Sequence, residues 1–168
     1  MNPSTENLVR KTTPMMFVEM QRFFETNDLA KKAADSIKDG REIAVIITDT
    51  GTSFPYTFSK SGGQNVFKET AASRPDVTFT IPVASGREIT ETSFTSVGQV
   101  GLRIFEKIIS PDPAQKIHVK IHTGFLSLLT GGYLGVLTSG GSEVAKFLAS
   151  KGLGSMSKVK DTISKMQK

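Results

Sequence analysis

Hydrophobic spacing changes period several times along the chain, and each change predicts a different element. Met16, Met20, Phe23 and Phe24 recur at helical spacing, so a helix is expected up to Asn27, with Thr13 as N-cap and Pro14 at its first position. In LAKKAADSIK, Leu29, Ala33 and Ile37 stand at i, i+4 and i+8, with Asp28 placed to cap a second helix and Asp39-Gly40 to close it. The period then becomes that of strands. EIAVIITDT is apolar on both faces from Ile43 to Ile47, as inside a sheet. After a turn at Asp49-Thr50-Gly51-Thr52, SFPYTFSK carries Phe54, Tyr56 and Phe58 on one side, and Pro55 suits an edge or a bulge better than a central position. Ser61-Gly62-Gly63 turns the chain into a weaker strand in QNVFKET.

The region from Arg74 to Leu153 changes character again. DVTFTIPV alternates cleanly, with Val77, Phe79 and Ile81 inward and Thr78 and Thr80 outward. Strand signals stop there, and Ser96 to Ile109 reads as a helix. Val97, Val100, Ile104 and Ile108 share one face of it, and Leu102, Phe105 and Ile109 a second. A helix apolar over most of its circumference is buried on more than one side or lines something apolar. Pro111 and Pro113 end it. KIHVKIHT is the last strand, with Ile117, Val119 and Ile121 inward and Lys116, His118, Lys120 and His122 outward. A glycine-broken apolar run, FLSLLTGGYLGVLTSGG, and a helix in SEVAKFLASKGLG follow. The order is that of an α+β domain with its helices on one face of a sheet, enclosing an apolar space. Residues 1–12 read as a flexible arm, 13–153 as a single domain, and 154–168 as a basic amphipathic tail.

Composition narrows the picture without redirecting it. At 168 residues the chain is long enough to bury a core as one domain. It has no cysteine, which excludes disulfides, thiolate metal sites and a cysteine nucleophile. No signal-peptide or membrane-spanning pattern is present, so a cytoplasmic protein is expected. The net charge of +5 would suit nucleic acid, but residues 155–168 hold four lysines against Asp161, which is +3 of that total. No basic stripe interleaved with aromatics remains, and no nucleic-acid partner is expected.

Candidate chemistry is sparse. His118 and His122 lie four apart on a strand, about 13 Å, too far to hold one metal together. No serine sits in a nucleophile elbow, and Asp35, Asp39, Glu42 and Asp49 fall at element ends where caps and turns account for them. The glycine-rich run Gly131–Gly141 lacks the Gly-Lys-Ser/Thr of a phosphate loop; it reads as a tight connector or as a mobile apolar flap over a cavity. Met156, Val159, Ile163 and Met166 form one face of the tail, suited to a membrane, a partner or the domain itself. No catalytic residue, metal or cofactor is expected.

From Ile37 to Leu153 the chain resembles the sterol-carrier-protein-2-like lipid-transfer family. The resemblance rests on Asp39-Gly40 leading into the first strand, on RPDVTFTIP (Arg74–Pro82) and on KIHVKIHTGFLSLL (Lys116–Leu129), although Thr123-Gly124 stands where the family often has Gly-Asp. It implies a largely antiparallel five-stranded sheet covered by helices, with an apolar tunnel for a fatty acid, sterol or other apolar molecule. Its wall is then expected at Phe79, Val100, Ile104, Phe105, Ile108, Phe125, Leu128, Leu129 and Leu134. The expected function is non-catalytic lipid binding, with transfer as its use. The alternative is an interaction or homodimerisation module with a closed core.

Overall fold

A computed structural model describes residues 16–135 and 141–166. The expected arm at 1–12, the helix start at Thr13-Pro14 and residues 136–140 of the glycine-rich run lie outside the described residues. So do the side chains of Met156, Ile163 and Met166.

Helix α1 (16–26) buries Met16, Met20 and Phe23, the residues whose spacing predicts it. Helix α2 (Asp28–Ala33) starts one residue earlier than expected: the Asn27 side chain, not Asp28, accepts the N–H groups of Leu29 and Ala30, each at 3.1 Å. It is also shorter, because the chain breaks into turns after Ala33 and LAKKAADSIK is not one helix.

Strands β1 (Glu42–Asp49), β2 (Thr52–Ser61), β3 (Gln64–Lys68), β4 (Val77–Pro82) and β5 (His118–Ile121) form one sheet in the order β3-β2-β1-β4-β5. Two hairpins join β1, β2 and β3. Both turn on positive-φ residues, Thr50 and Gly51 in one and Gly62 and Gly63 in the other. The sheet is mixed rather than largely antiparallel, since β4 pairs parallel with the central strand β1 and only then antiparallel with β5. The cause is the shortness of β3. It pairs only with Thr57–Ser61 and ends level with Ala44 and Thr78. Residues 69–76 therefore need only cross the ends of β2 and β1, held by Thr57 Oγ1–H to Thr70 O (2.7 Å) and Ser73 N–H to Glu42 Oε1 (2.8 Å). The same short β3 leaves Pro55, paired with Ile46 alone, on a locally open edge that needs no N–H.

One face of the sheet carries Ile43, Val45, Ile47, Tyr56, Phe58, Val77 and Ile81, all buried against the helices. Helix α3 (Val83–Glu91) follows β4 directly, where the apolar pattern shows no helix. Its buried face is made of Ser85, Gly86 and Ile89. Small residues let it close on α1: a Cβ at Gly86 would stand 3.3 Å from Met16 Sδ. Helix α4 (Val97–Ile108) is capped by Ser96 and packs against α2, α3 and a later helix, α6 (Gly141–Ser150), as its broad apolar circumference requires. Helix α5 (Phe125–Thr130) follows β5, and α7 (Met156–Met166) packs on both β5 and α5, so the tail is docked on the domain.

Candidate functional site

Between the sheet and the helices lies an apolar cavity of about 320 Å³. Its floor is β1, β4 and β5, through Ile43, Val45, Val77, Phe79, Ile81, Val119 and Ile121. Its roof is α4, and its sides come from α1, α2, α6, α7 and the segment after α5. Side-chain size explains why the space stays unfilled. Where α2 faces α4, the wall is Ala30, Ala33, Ala34 and Gly101, which reach too little to close the gap. Of the lining residues only Tyr133 and Thr162 carry polar side-chain atoms. The volume is at the lower end of ligand pockets and about twice that of an engineered cavity that admits benzene.

Seven of the nine residues expected along a cavity wall line this one: Phe79, Val100, Ile104, Phe105, Ile108, Leu128 and Leu134. Phe125 and Leu129 do not. Phe125 packs on the Val77, Ile121 and Leu128 cluster with the Lys160 ammonium 5.8 Å from its ring, and Leu129 points outward, 45% exposed. On a helix of six residues only one side can face inward, and α5 turns Leu128 there. Sequence spacing missed the contributions of α1, α2, α6 and α7. Those arise where separate helices meet, and the alanines among them look like ordinary helix formers.

The polar groups nearest the cavity form a short chain. Tyr133 O–H donates to Asp76 Oδ2 at 2.7 Å, and Arg41 Nη1 donates to the same oxygen and to Ser127 Oγ, both at 3.2 Å. Burial, and then the hydrogen bond to the Asp76 carboxylate, push the Tyr133 phenol well above its ordinary range, so it stays protonated. Next to it, residues 131–135 are not a free flap. Lys38 N–H donates to Gly131 O (3.0 Å) and Ser36 O–H to Gly132 O (2.7 Å). At Gly132, with φ +85°, a Cβ would fall 1.6 Å from Ser36 O, so this glycine is required by close backbone approach.

No protein-family model and no curated protein matches the chain. A solved structure does. The chain is similar to a structure described as "UbiJ-SCP2 Ubiquinone synthesis protein", over 81% of this chain and 98% of that one, with 13% identity and a TM-score of 0.39. The cavity and its wall stand on this chain's own contacts.

Among the described residues, no ionisable side chain other than Tyr133 lines the cavity. His118 and His122 are exposed, and His122 Nε2 pairs with Thr78 Oγ1 at 2.7 Å. Lys107 is the surprise of α4: it is buried, with its ammonium on Glu88 and the Gln115 side chain. That hydrogen bond holds the Glu88 carboxyl below its usual range, helped by the Lys107 and Arg103 charges, and the group ties α3 to α4. Among the described residues, no group of three or more His, Cys, Asp and Glu is placed to hold a metal ion. Among them, too, no helix is long and apolar enough to cross a membrane.

Proposed function

We propose that this protein binds a lipid or other apolar small molecule, without catalysis, in the cavity between sheet and helices. The observation that carries the reading is the wall: thirty residues line about 320 Å³, and only Tyr133 and Thr162 among them are polar. Such a surface offers a charged substrate nothing. An acyl or isoprenoid chain gains roughly 25 cal/mol for each Å² of its surface removed from water. A fatty acid, a sterol or another largely hydrocarbon molecule fits this chemistry, and Tyr133 is the hydroxyl best placed to meet a polar end. Carriage or transfer of that molecule in the cytoplasm follows from the same reading, as a monomer or a homodimer.

The test is a titration with a fluorescent fatty acid. Saturable uptake at one probe per chain, displaced by unlabelled lipid, is the expected result. Absence of uptake together with concentration-dependent dimerisation would favour the alternative, a closed interaction module.

A further inference from the structure

Among the described residues, two side chains on the cavity wall carry oxygen, and both have already placed their one hydroxyl proton. Tyr133 donates its own to Asp76 Oδ2 at 2.7 Å, and Thr162 donates to Lys158 O along α7 at 3.0 Å. The Thr162 bond is solvent-exposed, which leaves Tyr133 as the oxygen for a buried ligand. Its proton is not free to turn. Asp76 also accepts from Arg41, and withdrawal of the Tyr133 proton would leave a part-buried carboxylate one donor short. The backbone is fixed as well, since Tyr133 N–H donates to Leu128 O and the preceding Gly132 is held by Ser36. What Tyr133 keeps is a lone pair: a phenol that has donated still accepts, and donation to a carboxylate strengthens it as an acceptor. Among the described residues no Lys, Arg or His lines the cavity, so an anion inside would meet no counter-charge.

We propose that the cavity selects a ligand whose buried polar end is a hydrogen-bond donor, a neutral long-chain alcohol, with Tyr133 Oη as the acceptor that recognises it. The inference rests on the proposed lipid binding and narrows it. An alcohol gives its proton to Tyr133, Tyr133 keeps its own on Asp76, and Arg41 stays paired, so no existing bond is broken. An ether, ester or ketone end has no proton to give. It either displaces the Tyr133 proton from Asp76 or stays unbonded in apolar surroundings, and both weaken binding. A carboxylate inside would be an unpaired buried ion, so a fatty acid binds by its chain alone, with its head group left in water. The apolar wall holds the chain alike in every case, and the discrimination lies in one proton.

The test compares tetradecanol with two probes of equal chain, its methyl ether and tetradecanoate, by displacement of a fluorescent hydrocarbon, diphenylhexatriene, from the full chain. Wild type should bind the alcohol most tightly. In Tyr133→Phe the alcohol-to-ether affinity ratio should fall about fivefold, the worth of one ordinary hydrogen bond, with unchanged circular dichroism. Taking the ratio in both proteins cancels the different hydration of the two probes. A ratio that is the same in both would overturn the proposal. So would wild type that binds the ether or tetradecanoate more tightly than the alcohol, a result that needs no variant. Displacement by all three probes without preference sinks this inference and leaves the cavity reading standing, whereas displacement by none of them sinks both.

Discussion

Replacing Ile104 with tryptophan separates a cavity from a core by the sign of its effect. Ile104 is half-buried on α4 and faces the cavity. Ile104→Trp adds about six heavy atoms and on the order of 80 Å² of apolar surface at that position. If the space of about 320 Å³ is open, the indole fills part of it. At 25 cal/mol per Å² the gain is about 2 kcal/mol, reduced by whatever rotamer strain the ring accepts. The ligand-free variant should therefore be as stable as wild type or more so, while its ligand uptake is lost. Overpacking a closed core instead costs about 1–3 kcal/mol. Urea unfolding of delipidated samples reads the difference directly, and a lipid titration adds a second sign. Wild type should gain about 2.7 kcal/mol at a hundredfold excess of ligand over its dissociation constant, and Ile104→Trp nothing. A delipidated variant destabilised by 2 kcal/mol or more would refute the reasoning, because the position would then be packed core.

Three further outcomes follow from the groups around the cavity. Gly132→Ala should destabilise by at least about 2 kcal/mol in thermal or urea unfolding, because it combines an unfavourable φ with a Cβ overlapping Ser36 O; a neutral result would mean that residues 131–135 are not held against the 34–38 turn. Tyr133→Phe should cost about 1–2 kcal/mol by leaving Asp76 one donor short, and should remove a phenol that stays protonated in alkaline absorbance titrations of the folded protein. For Glu88, the folded carboxyl is held below its unfolded value of about 4.3, so its contribution is complete above that pH and lost as pH falls through the folded value. Glu88→Gln should accordingly be less stable than wild type at pH 7, and the gap should shrink on acidification below about pH 4; a gap independent of pH would contradict the pairing with Lys107.

How much of this was legible in the sequence depended on whether the deciding contact was local. The alternation of Val77, Phe79 and Ile81, and that of Ile117, Val119 and Ile121, placed both strands and their inward faces, because one side of the sheet is covered and the other is not. The two apolar faces of α4 likewise announced a helix buried on several sides, and most of its inward residues line the cavity. Helix α3 left no such trace. Ser85 and Gly86 are weak helix formers, chosen for a close approach to Met16 and for Ser85 O–H to reach Gln115 O at 2.6 Å. The parallel β1–β4 pair was hidden because it depends on where β3 stops. Nothing in the local sequence marks Lys107 as buried, since Glu88 and Gln115 reach it from other elements. The Tyr133–Asp76–Arg41 chain spans residues too far apart for spacing to suggest it.

The central claim, an apolar site occupied by a lipid, is tested most directly by native mass spectrometry of the freshly purified protein, followed by organic extraction. The account predicts an added mass at one molecule per chain, recovered in the extract as a largely hydrocarbon compound and absent from Ile104→Trp. A clean protein mass that stays unchanged after incubation with fatty acids, sterols and long-chain alcohols would contradict it.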